Sequence, residues 1–493
     1  FSPILFLLLP FYFIWPKPEI LLILQTLILA LCVWPLYLIA KQKLNQTWAL
    51  IFALSWLLNP FIQNLNLFEF SFLPLALLFI FWAFYFYQNQ KFRLFLLFSL
   101  LTLLCREDVA LVIFLFSPLA FFEKKSDKWQ LTPGILAGLY FFLAVFITQI
   151  FAPGNLYKFF VYYAWLGPTP LAALGNAIFE PWRVVFHLLK IGNLEFILAI
   201  FLPFIFLPWL NPLPLLLGGL IFLQLILRSD GTSATLLQTH YAALLYPPIF
   251  LAAIYSIVDF KNQAKQNKIL NFLRRWQPLP AIILIFSLVY TSLTLGPVFN
   301  LFKIISQTGL LSPKNQIKQE LIKKIPADAS VAATYEFLTP LSTRAKLYSF
   351  NYVFLQKQQF LAEDYQLPKD TDYLLLDFSD LLTYQLQYGN NPFYQSQYQK
   401  ALINWPEILS AFGLAEIKET FGLFAKVAKN NFKLVETPDF LPEDIEKQEQ
   451  QINDQIRFLG FKKDNHAFQF FWQISLPLTK NYQLQLQIKK DNQ

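Results

Sequence analysis

The first 295 residues read as long apolar blocks separated by short polar turns, and the rest as short, interrupted ones. A helix that crosses a bilayer needs roughly 17–25 mainly apolar residues. Residues 19–40, 47–63, 69–88, 133–152, 192–210, 211–227, 241–258 and 279–295 each supply one. Residues 3–15 are short for a span and read as an interfacial helix. Residues 93–122 are too long for one span and are cut by Arg106, Glu107 and Asp108, which predicts a hairpin with the charges at its turn. Two arms of about 13 residues reach only ~20 Å at 1.5 Å per residue. Such a passage is thin, tilted or re-entrant among other helices.

Beyond residue 295 the period changes. "PKNQIKQELIKKI" and "NWPEILSAFG" have helical spacing, "ASVAATY" and "DYLLLDF" are β-like, and "EIKETFGLFAKVAK" alternates about a Phe-Gly turn. A small α/β domain fits this pattern. From residue 431 an acidic linker (436–449) precedes three strand-like runs, "QIRFLGF", "AFQFFWQISL" and "YQLQLQI". Three strands leave an uncovered edge, so this reads as a partial β-sandwich. The expected architecture is an α-helical polytopic membrane domain (1–295), an extracytoplasmic α/β domain (296–430) and a partial β-rich domain (431–493).

Charge adds an orientation. The chain carries 39 Lys and Arg against 31 Asp and Glu. The segment before residue 296 has 18 against 10 and the remainder 21 against 21, so the whole excess sits on the apolar part. Twelve of those 18 lie in Lys41/Lys43, Lys91/Arg93, Lys124/Lys125/Lys128 and Lys261/Lys265/Lys268/Arg274/Arg275. Basic residues in short loops mark the cytoplasmic side. The expectation is a multi-pass plasma (inner) membrane protein whose soluble part lies outside. On the outer face that places 64–70, 106–108, 153–190 and 228–240. Segment 153–190 is aromatic-rich and reads equally as a helix in the headgroup region or a packed surface helix.

Only 14% of residues are charged, against about 25% in soluble domains, which excludes a wholly cytosolic enzyme. Cys32 and Cys105 form no CxxC or zinc spacing. There is no Walker A loop, GxGxxG, HExxH or GxSxG, which argues against a nucleotide-driven pump. No basic tract is suited to nucleic acid.

Charges at membrane depth cost roughly 2.5–3.5 kcal/mol each on insertion scales and mark function by default. The foremost candidate is Arg106, whose guanidinium suits a phosphate, with Glu107 or Asp108 to orient it or bind a metal. Internal pairing within a polar turn is the plainer alternative. Glu69, in "NLNLFEFSFLP", is a second candidate, against a merely solvated acid. Arg228, Asp230 and His240 follow in "RSDGTSATLLQTHYAALLYPP". Glu180, Arg183 and His187, at i, i+3 and i+7, read as a solvated face.

The strings "LLNPFIQNLNLFEFSFLPLALLFIFWAFY", "LTLLCREDVALVIFLF" and "QTHYAALLYPPIFLAAIYS" follow in order. They resemble a family of predicted bacterial and archaeal polytopic membrane proteins that is itself similar to the GT-C glycosyltransferases. That class includes protein mannosyltransferases and aminoarabinose lipid A transferases. The likeness spans about residues 1–257 and continues in "IPADASVAATYEFLTPLSTRAKLYSF" and "DTDYLLLDFSD". It implies a GT-C-like membrane domain and sugar transfer from a polyprenyl-phosphate donor at the extracytoplasmic face. Arg106 matches a basic position, usually Lys, in a Lys-Glu-Asp string. Glu69 matches an acidic position usually followed by His, where this chain has Phe70. His240-Tyr241 matches a His-Tyr pair.

The expected site is therefore Glu69, Glu107 and Asp108 for catalysis, with Arg106, Arg228, His240 and Tyr241 on the donor phosphate. The resemblance leaves open a divalent cation, and the acceptor glycan, lipid or protein. It also places a first-loop acid upstream of Phe1; the chain has no Met and opens mid-pattern, which reads as continued upstream. A non-catalytic lipid-handling or transport protein is the alternative, and an anchored surface-assembly protein a third.

Overall fold

The computed structural model describes residues 2–151, 158–229, 232–263, 279–301, 313–358, 364–389, 394–426, 442, 444–452, 455–464 and 467–474. The chain is mostly helical, with apolar helices first and small β-sheets towards its C-terminus. It divides into two compact units, Phe1–Asn430 and Asn431–Gln493.

In the first unit the apolar blocks become α1 (Leu5–Ile14), α2 (Glu19–Leu31), α3 (Val33–Lys43), α4 (Gln46–Leu58), α5 (Pro60–Leu67), α6 (Leu73–Gln88) and α7 (Phe92–Leu103). Then come α8 (Ala110–Phe114), α9 (Phe116–Phe122), α10 (Asp127–Phe151), α11 (Pro170–Phe179), α12 (Pro181–Leu188) and α13 (Ile191–Phe201). The series closes with α14 (Gly219–Ile226), α15 (Tyr246–Gln263) and α16 (Leu279–Thr294). Among the described residues three helices are long and apolar enough to cross a membrane: Glu19–Lys43, Asp127–Phe151 and His240–Phe260. Two bent pairs raise the number to five. Block 211–227 is no single span; it is a 3-10 run, Leu213–Gly218, leading into α14. Its two prolines, Pro212 and Pro214, remove the amides a continuous helix needs.

The α4–α5 break shows how sequence sets a bend. Asn59 leaves α4 extended and its Oδ1 accepts the Phe61 amide at 3.0 Å. Pro60 opens α5 where a missing N–H costs nothing, and the pair bends by 44°. The core beneath is aromatic. Trp56 donates its indole N–H to Leu29 O at 2.8 Å and packs edge-on against Phe81 and Phe250. By contrast α10 exposes Leu131, Ile135, Leu139, Phe142, Phe146 and Ile150, an apolar face that soluble proteins do not leave bare.

Residues 93–122 do double back. Phe95 of α7 meets Phe116 of α9 at 5.2 Å between ring centroids, across the turn at 104–109. One end of the bundle gathers lysines. Lys125 Nζ donates to Tyr87 O at 3.1 Å, Lys128 lies over Phe92, Lys43 lies over Tyr255, and Gln42 and Asn89 bond each other. Three of the four basic clusters therefore share that end. Most of the fourth, with Lys265, Lys268, Arg274 and Arg275, is outside the described residues.

A five-stranded sheet follows, in the order β2 (Leu347–Ser349), β1 (Val331–Ala333), β3 (Tyr373–Asp377), β5 (Phe421–Ala425), β4 (Gly413–Lys418). β1 is parallel to β2 and β3; β5 is antiparallel to β3 and β4. Helices Pro313–Lys323 and Gln395–Ser410 correspond to the two helical strings. The hairpin turn falls at Glu419–Thr420, with Glu419 at φ 51°, and the Phe-Gly pair lies inside β5. Burial decides this: every β5 residue is buried, whereas Glu419 is exposed.

The second unit holds one antiparallel sheet among its described residues, β6 (Glu446–Gln451), β7 (Ile456–Asp464) and β8 (Ala467–Ile474), in that order. The end of the acidic linker is thus a strand, fully exposed and polar, as suits an edge. Gly460 sits at φ 147° beside a register shift, where a Cβ would lie 2.2 Å from Glu446 O. The run "YQLQLQI" is outside the described residues.

Candidate functional site

At the bundle end opposite the lysines, several of the expected residues come together. The α7 helix stops at Leu103, Arg106 is extended, and Glu107–Val109 form one 3-10 turn. Arg106 Nε donates to Asp108 Oδ1 at 2.7 Å, and Nη2 donates to Oδ2. Burial works against the guanidinium charge, but the Asp108 bonds and the Asp108 and Glu107 charges outweigh it and hold Arg106 firmly protonated. The pairing foreseen as the plainer alternative is therefore present. It occupies one side of the fork; a guanidinium has five N–H groups, and Asp108 is the recorded partner for two. Glu107 stands half-buried in the same turn, within electrostatic reach of Tyr140 on α10.

Glu69 lies in the loop between α5 and α6. Its Oε1 is 3.8 Å from His240 Nδ1, and its side chain is 70% exposed. His240 opens the 3-10 run into α15 behind Thr239, whose hydroxyl accepts the Tyr241 amide at 3.3 Å. The imidazole packs against Phe68 and Tyr241 at 5.4 and 4.5 Å between centroids. Arg106 and Asp108 both act electrostatically on His240, and Tyr241 acts on Arg106. Arg228 reaches the same group from the end of α14, with its guanidinium over Tyr162 at 4.3 Å and Tyr241 at 5.8 Å. Glu69, Arg106, Asp108, Arg228, His240 and Tyr241 thus lie at one end of the bundle, Glu107 beside them, and Asp230 is outside the described residues.

Two supports were not foreseen. Gln25, buried in α2, donates to Leu65 O at 3.2 Å and reaches the carbonyls of Asn66 and Phe68 at 3.4 Å; its Oε1 accepts the Ser71 amide at 3.1 Å. One side chain ties down the loop that carries Glu69. A neutral polar residue in an apolar span is the signal the sequence offers for it. On the Arg228 side, Asn193 bonds His187 O at 2.7 Å and accepts from the Thr232 amide and hydroxyl. His187 is not on a solvated face: it is buried and stacked on Trp165 at 4.2 Å, whereas Glu180 and Arg183 pair in the open.

The described residues bring together no group of three His, Cys, Asp or Glu side chains suited to a metal ion. What the end does assemble is fixed positive charge beside acids and tyrosines at the rim of an apolar bundle. That defines a mostly helical protein with a polar site at one end of its apolar helices.

Residues 1–411 match the family described as predicted membrane protein (DUF2079), and the chain belongs to that family. No curated protein matches. Among solved structures the chain is similar to the oligosaccharyltransferase of Archaeoglobus fulgidus, in a complex with zinc and sulfate, at 12% identity and a TM-score of 0.35. The alignment covers 83% of this chain and 61% of that one, so the chain spans less than two thirds of its neighbour's length.

Proposed function

We propose that the chain is a membrane glycosyltransferase that moves a sugar from a polyprenyl-phosphate donor to an acceptor at the extracytoplasmic face. The observation that carries this reading is the Arg106–Asp108 pair at the end opposite the lysines, beside Arg228, Tyr241, His240 and Glu69. The excess of basic residues at the far end supports reading that end as the cytoplasmic one. A lipid tail lies along the apolar helices, its phosphate against the outward side of the Arg106 fork.

In the reaction the bond from sugar C1 to the phosphate oxygen breaks, and its electron pair leaves with the polyprenyl phosphate. The acceptor oxygen bonds to C1, and its proton passes to the Glu69 carboxylate. Arg106 and Arg228 stabilise the leaving charge; fixed donors aimed at developing charge are worth roughly 10²–10³ in rate each. Asp108 acts by positioning Arg106.

The test is turnover of synthetic polyprenyl-phosphate hexoses by the full chain in proteoliposomes, read as release of polyprenyl phosphate. Release that is lost in Arg106→Ala supports the reading. Donor binding with no release under any acceptor overturns it in favour of a non-catalytic lipid-handling protein.

A further inference from the structure

The α/β region has polar groups that the proposed transfer reaction does not use. Strands β2, β1 and β3 run parallel, with β1 between the others. The chain leaves β1 towards β2 on one side and later enters β3 on the other. The crevice between β1 and β3 is therefore a topological switch point, and in open α/β sheets ligands bind there, outside the carboxyl ends of the strands.

The residues at those carboxyl ends are polar and buried. Thr334 follows β1, Asn351 follows β2 by two positions, and Asp377 ends β3. All three are no more than 2% exposed. Thr334 Oγ1 accepts the Asp377 amide at 2.8 Å, which ties β1 to β3 at the crevice. Asp377 Oδ1 accepts the amide and hydroxyl of Ser379, and Asp380 Oδ2 accepts the Tyr335 amide. Tyr388 receives the Asn351 amide N–H at 3.1 Å.

Among the described residues three buried atoms here have no hydrogen-bond partner: Asp377 Oδ2, Asn351 Oδ1 and the Tyr384 hydroxyl. Tyr384 packs against Tyr335 and Tyr388 at 5.6 and 6.4 Å between ring centroids. Tyr388 takes the Asn351 bond, and the Asp380 that holds Tyr335 lies three residues from Asp377, so the three groups belong to one end of the sheet. Lys314 Nζ, half-exposed, stands 3.9 Å from Asp377 Oδ2, outside hydrogen-bond reach. Leaving a buried polar atom unmade costs about 1–3 kcal/mol, and native proteins rarely carry several together.

We infer that the carboxyl ends of β1, β2 and β3 form a second ligand site, which takes the hydroxyl groups of a neutral sugar. A carboxylate oxygen and an amide oxygen only accept, so the ligand donates. Tyr335, Tyr384 and Tyr388 supply ring walls, and Lys314 is the mobile arm over Asp377. A metal ion fits less well, because the described residues offer no three-ligand group. The site stands apart from the assignment of Arg106.

The experiment is saturation-transfer NMR of methyl hexosides with the full chain in nanodiscs, on wild type, Asp377→Asn and Tyr384→Phe. Transfer to at least one methyl hexoside in the wild type, reduced about tenfold or more in both variants with unchanged thermal unfolding, is the expected result. If Asp377→Asn unfolds, Tyr384→Phe alone decides, since it deletes one oxygen. No transfer from any hexoside, undiminished transfer in a folded variant, or binding of magnesium or calcium instead overturns the inference. Failure leaves the Arg106 reading intact, because that is read through release of polyprenyl phosphate.

Discussion

Asp108 grips Arg106 from one side, through Nε at 2.7 Å and through Nη2, and so fixes the direction of the guanidinium three residues after α7 has ended. Bidentate geometry of this kind fixes direction as well as charge. In the proposed reaction this divides the roles of the two charges: Arg106 meets the donor phosphate and Asp108 positions Arg106.

Arg106→Lys keeps the charge and loses the fork, so donor turnover falls about 10–100-fold, whereas Arg106→Ala costs about 10²–10³. Asp108→Asn keeps an acceptor and loses the ion pair, and the expected loss is about tenfold. Steady-state kinetics on the three variants check the order. Asp108→Asn falling as far as Arg106→Ala would make Asp108 a participant in the chemistry.

Gln25→Leu leaves the carbonyls of Leu65, Asn66 and Phe68 and the Ser71 amide without their shared partner. The expected cost is about 1–3 kcal/mol, read as a lower unfolding midpoint. Turnover falls more than the midpoint explains at assay temperature, because the Glu69 loop loses its tie. Loss of stability with full turnover in the folded fraction would detach Glu69 from the reaction.

Gly192 allows a close approach on the opposite side. A Cβ there would lie 2.1 Å from Thr232 O, backbone that Asn193 holds in place. Gly192→Ala therefore displaces the 232 segment and costs about 1–3 kcal/mol, as overpacking does. Limited proteolysis near residue 232 should speed up, and a wild-type digestion pattern would show that the segment has room.

Acid sensitivity of the α/β region has a definite sign. The backbone amide of Ser330, then its hydroxyl, donate to the Asp372 carboxylate and hold it below the usual Asp range. Stability from that carboxylate is present above about pH 3.9, the ordinary Asp value, and is lost as pH falls through the lowered value. Asp372→Asn should flatten the pH dependence of hydrogen exchange in β1 and β3 below about pH 4. An unchanged profile would assign the acid response to other groups.

The sequence is most legible where one physical demand dominates. Long apolar blocks had to become helices, and the 93–122 block had to turn at its three charges. Lysine clusters predicted one shared end, which Lys43, Lys125 and Lys128 show. The lysine clusters put Glu69, Arg106 and His240 on one face, and the resemblance joined them in one site, since residues this far apart carry no local signal of their meeting. What escaped was neutral or context-dependent. Gln25 bears no charge, His187 has helical spacing that suits a solvated face although Trp165 covers it, and Asp377 carries no signal of its own within the β-like string "DYLLLDF". The Phe-Gly pair was read as a turn because both strand and turn tolerate it; burial placed it in β5.

The most direct measurement is binding of farnesyl phosphate, a short polyprenyl phosphate, to the full chain in nanodiscs, compared with farnesol and with Arg106→Ala. The account predicts that farnesyl phosphate binds the wild type, that farnesol binds at least about tenfold more weakly, and that Arg106→Ala cuts the difference severalfold, with Arg228 keeping the remainder. Equal binding of the phosphate and the alcohol by the wild type, or unchanged phosphate binding by a folded Arg106→Ala variant, would contradict it.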